Sequence, residues 1–384
     1  MMIEPAPTPE EEAHLRRALQ LATRAWGETH PNPMVGAVVV EDGHVVAEGW
    51  HKRAGDPHAE VMALRDLGRQ PKPGAVFCVT LEPCSTQGRT PPCTDALLEA
   101  GVKRVVVGTP DPNPAHAGRG LDLLRATGVE VALATGSLAA ACADLNLLFN
   151  HHVVTGAPLF ALKLAVTADD KLAERAGFQS AVTGPEALAD VMRWRRLFPV
   201  IAVGARTVLA DDPRLTARLS AGEWCPRRLI LDPRLSTVSE NAPLPKVYAD
   251  DFRERSTVVT GPNAYAGQAA RERLAEAGVS LLELPLDASG AFSFADLRRR
   301  LAMESLSGVY FEGGADVARR LLAENALDYL FHYRSLKTFP CPEALAAPPL
   351  SAFPLSPDAR RENFGDDLLI RSHLQRTSVS DLSP

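Results

Sequence analysis

Short runs rich in β-branched residues alternate with helix-patterned segments along this chain, and the alternation occurs in two separate series. This period limits the fold more than any other feature. Strands alternating with amphipathic helices specify layered α/β domains whose sheets are at least partly parallel. The first series opens at residues 9–26, where Leu15, Ala18, Leu19, Ala22 and Trp26 recur at helical spacing behind an acidic first turn. VGAVVVEDGHVVAEGW reads as a hairpin turning at Asp42-Gly43. HAEVMALRDL predicts a helix, and AVFCVTL a buried strand that delivers Glu82-Pro83-Cys84 at its end. DALLEAG, VKRVVVG, GRGLDLLRATG and VEVALA then read as helix, strand, helix and strand, before a helix ending LNLLFNHH.

The second series starts at PLFALKLAVT, so the expected domains are 1–152 and 153–384. Helices are predicted in PEALADVMRWRR, YAGQAARERLAEAG, FADLRRRLAMES and ADVARRLLAEN. Strands are predicted in VIAVGA, RRLILD, TVVTG, SLLELP and GVYFEGG. Residues 338–366 are proline-rich and weakly patterned, and read as loop with at most one helical turn. DDLLIRSHL is the last expected strand, and the final ten or so residues are expected to be disordered. A chain of 384 residues exceeds one typical core, which agrees with two domains.

The net charge is −6, and the densest basic run is the short Arg193-Trp194-Arg195-Arg196. A nucleic-acid partner would need a basic stripe, which is missing. No apolar run reaches the length of a membrane span, and the N-terminus lacks the pattern of a secretory signal. The expectation is a cytoplasmic protein acting on small molecules, with self-association left open. Six cysteines in a reducing compartment argue against a structural disulfide between Cys84 and Cys93.

Those two cysteines lie in TLEPCSTQGRTPPC, and His58 and Glu60 stand together in HAE. One imidazole and two thiolates are three ligands suited to zinc, with a fourth position left for water. That is the composition of a catalytic zinc site. A nearby carboxylate that is not a ligand, here Glu60, can move the protons of that water. The Cys-x8-Cys spacing departs from the H-x-E…P-C-x-x-C pattern of zinc deaminases. The alternatives are a structural zinc completed by Cys78 or His51, and two buried thiols with no metal.

THPNPMVGAVVV, GWHKRAGDPHAEV, TLEPCSTQGRTPPC and DPNPAHAGRGLDLLRATGVEV together resemble the deaminase half of the bifunctional riboflavin-biosynthesis deaminase/reductases, over residues 10–150. The resemblance implies a zinc-dependent, cytidine-deaminase-like three-layer domain. It implies a diaminopyrimidinone substrate carrying a ribosylamino 5′-phosphate, which loses one exocyclic amine. It implies zinc on His58, Cys84 and Cys93, proton transfer by Glu60, and substrate contacts from Asn32, His51 and Arg89. Thr86 stands where the family commonly has His.

KLAVTADDKLAERAG, VGARTVLADDPRLTAR and FEGGADVARRLL resemble the reductase half of the same family, over roughly 155–335. The resemblance implies a dihydrofolate-reductase-like domain that reduces the ribosyl chain to ribityl with NADPH. It implies cofactor contacts at Ala165, Thr207, Asp211, Gly313 and Gly314, and substrate contacts at Arg195, Leu215, Arg218 and Glu312. Thr207 and Asp211 are expected at a strand-to-loop exit, and Arg195 and Arg218 are expected to hold a phosphate. Gly313-Gly314 is expected to open a helix whose N–H groups receive cofactor phosphates. Three positions depart from the family: Asp170 replaces a glycine, Ala181 an aromatic residue, and Asp316 a threonine near the phosphate site. Like charge at Asp316 should weaken NADPH binding unless Arg319 or Arg320 compensates. The competing expectation is a deaminase whose second domain is structural or oligomerising. A deaminase of nucleic-acid bases is disfavoured by the acidic charge and the lack of an aromatic, basic channel.

Overall fold

A computed structural model describes residues 5–87, 91–178, 180–220, 222–262 and 267–375. It divides into two compact units, Met1–Gly156 and Ala157–Pro384.

The first unit holds β1 (Gly36–Glu41), β2 (His44–Trp50), β3 (Val76–Val79), β4 (Arg104–Val107) and β5 (Glu130–Leu133) in the order β2-β1-β3-β4-β5. β1 is antiparallel to β2 and β3, whereas β3, β4 and β5 run parallel. The hairpin turns at Asp42-Gly43, both with positive φ, as expected from Asp-Gly. Helices α1 (Pro9–Ala22), α2 (Ala59–Leu67), α3 (Cys93–Glu99), α4 (Arg119–Ala126), α5 (Gly136–Leu145) and α6 (Leu147–Thr155) complete the unit. Leu15, Ala18 and Leu21 of α1 pack with Leu138 and Cys142 of α5 on one sheet face. Ala59 and Ala63 of α2, Leu97 of α3 and Leu121 and Leu124 of α4 cover the other. The helices sit close because β1 and β2 carry glycines: a Cβ on Gly36 would lie 2.0 Å from the Ala18 carbonyl oxygen, and one on Gly49 2.3 Å from the Ala63 nitrogen. The result is the expected three-layer arrangement.

The second unit is built on a nine-stranded sheet. Its members are β6 (Leu159–Val166), β8 (Val200–Gly204), β11 (Arg227–Leu231), β12 (Ser256–Thr260), β13 (Ser280–Glu283), β14 (Gly308–Glu312), β15 (Tyr329–Arg334), β17 (Arg360–Phe364) and β18 (Asp367–His373), in the order β13-β12-β11-β8-β14-β6-β15-β18-β17. All pairs are parallel except β15–β18 and β18–β17. Small strand pairs are made by β7 (Lys171–Ala173) with β16 (Leu345–Ala346), and by β9 (Ala217–Leu219) with β10 (Gly222–Trp224). The helices are α7 (Pro185–Leu197), α8 (Ala205–Asp211), α9 (Lys246–Ala249), α10 (Gly267–Glu276), α11 (Phe294–Met303) and α12 (Ala315–Ala323). One face packs Phe160, Leu162, Phe294, Phe311 and Leu321 into a core. The other stacks Trp194 and Tyr310 on Phe331.

The stretch 338–366 corrects the expectation of loop. Its single helical turn is present at Leu350–Ala352, but it also carries β16 and β17. β17 reads RRENF and lies at the sheet edge, half-exposed along its length, so it lacks the apolar alternation that reveals a strand. β15 and the short β7, β9, β10 and α9 were likewise not anticipated. The expected disorder at the C-terminus, and the first residues of the expected helix at 265, lie outside the described residues.

Candidate active sites

The deaminase-type site begins where α2 begins. His58 is the N-cap of α2, in extended backbone conformation, and Glu60 occupies the first turn. Cys84 follows β3, and Cys93 opens α3. These three turns bring one ligand atom each from His58, Cys84 and Cys93 to within 4.8 Å of one another. His58 Nδ1 lies 3.2 Å from Cys93 Sγ and 3.6 Å from Cys84 Sγ, and the Cys93 amide donates to Cys84 Sγ at 3.3 Å. The Cys93 thiol's hydrogen bond, and then His58, pull Cys84 far below the usual thiol range. The adjoining Cys84 sulfur, and then burial, push Cys93 up. One imidazole and two thiol sulfurs gathered this closely are a zinc donor set. Cys78 points into the opposite core with Leu15 and Val106, where burial pushes its thiol up to about 12. Among the described residues it belongs to no ligand cluster.

Glu60 is 3% exposed. Burial, and then the Cys84 thiolate, push its carboxyl up to about 7. A divalent cation on the three ligands would draw it back down. Asn32 and His51 meet beside this cluster. The Asn32 amide is 3.1 Å from His51 Nε2, and His51 Nδ1 is 3.2 Å from the Pro57 carbonyl oxygen. A carbonyl accepts, so Nδ1 carries the proton and Nε2 accepts from Asn32: the ring is a neutral imidazole. Burial holds its pKa down, and His58 adds to the effect. The His51 and His58 rings are 5.4 Å apart, edge to face. His51 is therefore held in one tautomer between Asn32 and Pro57. Arg89 lies outside the described residues, and Thr86 is exposed.

Glu82 was not singled out as functional from sequence. Its buried carboxylate accepts from the backbone amides of Asp111, Gly118, Gly120 and Leu121 at 3.0, 3.0, 2.8 and 3.4 Å. Its partners are about thirty to forty positions away, which no local pattern announces.

In the second unit, candidate residues collect at the C-terminal ends of parallel strands β6, β8 and β14, where open α/β sheets bind ligands. Arg195 of α7 forms a two-pronged pair with Glu312 at the end of β14, at 2.5 and 2.7 Å, each side chain 11% exposed. It also donates to the Thr216 carbonyl oxygen at 2.8 Å. Arg195 thus ties Glu312 to the ADDPRLT loop, and its charge is already matched. The sequence assigned Arg195 to a phosphate and gave no sign of this partner. Arg218 is the exposed cation. Leu215 is buried with φ 56°, a strained conformation for a branched residue, held within the loop that Arg195 and Arg228 both bind. Lys163, a lone cation in the apolar run of β6, pairs in register with Glu312. Burial holds its pKa down. Burial pushes Glu312 up, but Arg195, and then Lys163 and Arg218, outweigh it and hold the carboxyl low. Ala165 lies two positions farther along β6.

Thr207 and Asp211 lie within helix α8, not on a strand-to-loop exit. β8 ends at Gly204, which N-caps α8 directly, so the expected loop is absent. Gly314 N-caps α12 as expected, and a Cβ placed on it would lie 3.7 Å from Thr207 Oγ1. Thr207 and the Gly313-Gly314 turn are thus neighbours. Asp211 is half-buried, and burial raises its pKa. Asp316 pairs with Arg206 and with Arg319, the latter at 3.1 Å. Arg320 pairs with Glu324 instead. Asp170 has φ 58°, the left-handed conformation, which glycine adopts freely and Asp tolerates. The Ala181 carbonyl accepts from Lys337 Nζ at 2.7 Å.

A three-layer domain with a His-Cys-Cys cluster beside a buried glutamate, followed by a parallel-sheet domain with a glycine turn at a helix start, defines a zinc deaminase joined to a reductase. Residues 8–109 match the family described as cytidine and deoxycytidylate deaminase zinc-binding region, and residues 158–334 match the RibD C-terminal domain. The riboflavin biosynthesis protein RibD of Aquifex aeolicus is 36% identical over 94% of this chain and 97% of its own length. That of Escherichia coli is 38% identical over 90% and 95%. The deaminase/reductase structure from Thermotoga maritima superposes with a TM-score of 0.74 at 33% identity, over 95% of this chain and 99% of that one. The chain belongs to the RibD family of riboflavin biosynthesis proteins, with a zinc-dependent deaminase half and an NADPH-dependent reductase half. No described helix is long and apolar enough to cross a membrane.

Proposed function

We propose that the first domain hydrolyses one exocyclic amine from 2,5-diamino-6-(ribosylamino)pyrimidinone 5′-phosphate, and that the second reduces the ribosyl chain of the product to ribityl. The convergence of His58, Cys84 and Cys93 beside the buried, non-ligating Glu60 carries the reading. Zinc held by His58, Cys84 and Cys93 would supply a water acidic enough to attack the ring near neutral pH. Glu60 accepts the proton and delivers it to the departing amine, leaving ammonia and the ring carbonyl. Asn32 and His51 hold the pyrimidine edge, the neutral His51 kept in one tautomer by the Pro57 carbonyl.

In the second domain NADPH supplies the hydride. Thr207, Asp211, Ala165 and the Gly313-Gly314 turn would hold it, and the free amides at the Gly314-capped start of α12 would receive its phosphate. Arg218 meets the substrate phosphate, while Arg195 holds Glu312 and the Leu215 loop in place. The protein works in the cytoplasm on these small molecules. The test is product analysis with the diaminopyrimidinone, with and without NADPH, on wild type and Glu60→Gln. Wild type should form the deaminated pyrimidine alone, and the ribityl product when NADPH is added. Glu60→Gln should keep one zinc per chain and lose deamination by about 10² to 10⁴. Loss of zinc in that variant would show that Glu60 is a ligand and not a proton carrier.

A further inference from the structure

A single buried side chain, Glu82, binds both ends of the loop 111–118, whose middle is held by its own Asp111 and Asn113 turns. This loop, DPNPAHAG, has little apolar content and no regular structure, yet it follows the end of β4 and runs into α4. Helix α4 starts at an N-cap, Gly118, that has no side chain to satisfy the first-turn amides. Glu82 takes that role from another strand end. One carboxylate oxygen accepts from Gly120 and Leu121 in the first turn of α4. The other accepts from Asp111 and Gly118, the two ends of the loop. The Glu82 amide in turn donates to the Thr109 carbonyl oxygen at 2.9 Å. Among the described residues no cation pairs with this carboxylate, so the four amides are what stabilises its charge in the interior.

The packing leaves no slack. A Cβ on Gly120 would lie 2.1 Å from the Pro83 carbonyl oxygen and 3.2 Å from Glu82 Oε1. Glycine is required there for the helix start to touch the Glu82-Pro83-Cys84 segment. Cys84 is two residues beyond Glu82 and directly follows Pro83, the residue whose carbonyl oxygen the start of α4 approaches at Gly120. The loop therefore stands beside the ligand cluster, held by the same chain segment that supplies Cys84.

We propose that Glu82 is a positioning residue for deamination: it fixes the loop 111–118 as a wall of the deaminase site and so sets substrate affinity without ligating metal or moving the reacting proton. This rests on the deaminase reading of the site.

The test uses zinc-loaded full-length protein, with Glu82→Gln and Glu82→Ala beside wild type. Two readouts are taken: steady-state deamination of the diaminopyrimidinone, and amide hydrogen exchange without substrate. Gln keeps one acceptor oxygen but turns an NH₂ group toward two N–H donors, so it should raise KM about tenfold, and Ala more. The kcat should stay within about threefold, and zinc at one per chain, because Glu60 and the ligands are untouched. The amides of Asp111, Gly118, Gly120 and Leu121 should exchange faster while β3 and β4 stay protected. Gly120→Ala should reproduce the KM effect from the other side of the contact. Wild-type KM and wild-type loop exchange in Glu82→Gln would overturn the proposal. So would a lower Tm with KM and loop exchange unchanged, which marks a purely structural role, or loss of zinc, which marks an effect on the ligands. Should wild type not deaminate this substrate, the functional reading fails, and the exchange readout still decides whether Glu82 holds the loop.

Discussion

Glu60 and Glu82 are both buried glutamates of the first domain, and their surroundings give them different work. Glu60 is raised by burial and the Cys84 thiolate into the range where a carboxyl both takes and gives protons near neutrality. Glu82 is surrounded by four amides and serves as an acceptor only. A third buried group, His332 on β15, has no described use. Neither ring nitrogen has a hydrogen-bond partner among the described residues, and it shares a strand face with the core residue Leu330. Burial pushes its pKa down from 6.5 to about 4, with Arg334 adding to the effect and Asp170 opposing it. The unfolded chain then binds a proton that the folded chain refuses. Stability is fully present above pH 6.5 and falls as pH drops toward 4, by about 3 kcal/mol for the whole shift. Urea unfolding of wild type and His332→Leu at pH 7.5 and 4.5 checks this. The variant should lose less stability between the two, by roughly 2 to 3 kcal/mol, and an equal loss in both proteins would place the acid sensitivity elsewhere. Of the site residues, His58, Glu60, Cys84 and Cys93 were legible because ligand chemistry restricts residue type as well as order. The pairing of Arg195 was not legible, because a lone arginine in a helix does not announce that Glu312, 117 positions away, is its partner.

At the scale of elements, strands with a buried face showed themselves, and the edge did not. β1, β3, β4, β6, β8 and β11 are apolar runs buried in the sheets. β17 is charged and half-exposed, and only its ladder with β18 makes it a strand. Helix α8 was hidden for a different reason: it has seven residues, a glycine N-cap and an early end at Asp212 in the left-handed region, too short for a helical period to register. The first turn of α12 reverses one expectation from charge. Asp316 seemed an obstacle to an anionic cofactor, yet Arg206 and Arg319 hold it, and an acid in a helix first turn favours the dipole. All three side chains are exposed, so their net effect is small and screened by salt. Asp316→Thr should therefore change NADPH affinity by less than about fivefold at physiological salt, measured by titration. A tightening of a hundredfold would mean that the two arginines fail to neutralise the acid.

Across the whole molecule, each half carries its own core and its own site. The first domain packs both faces of its sheet with its own helices, and the His-Cys-Cys cluster lies within it. The second packs Phe160, Phe294 and Phe311 with Leu321, and its Arg195–Glu312 pair, Thr207 and glycine turn lie within it. Two activities assembled from separate sets of residues should be lost separately. Cys84→Ser removes one thiolate of the cluster and should lose zinc and deamination. Supplied directly with the deaminated pyrimidine, the same variant should still consume NADPH at close to the wild-type rate. Glu312→Gln should do the reverse, since it leaves Arg195 and Lys163 with an uncompensated charge in a buried site, a change that costs several kcal/mol when one partner of a buried pair is removed. It should keep zinc and deamination and lose most of the reduction. The measurement is the pair of rates on each variant with each substrate. If Cys84→Ser abolished reduction of the supplied intermediate while the second domain stayed folded, the two sites would be coupled, and the separation of cores would not describe how the enzyme works.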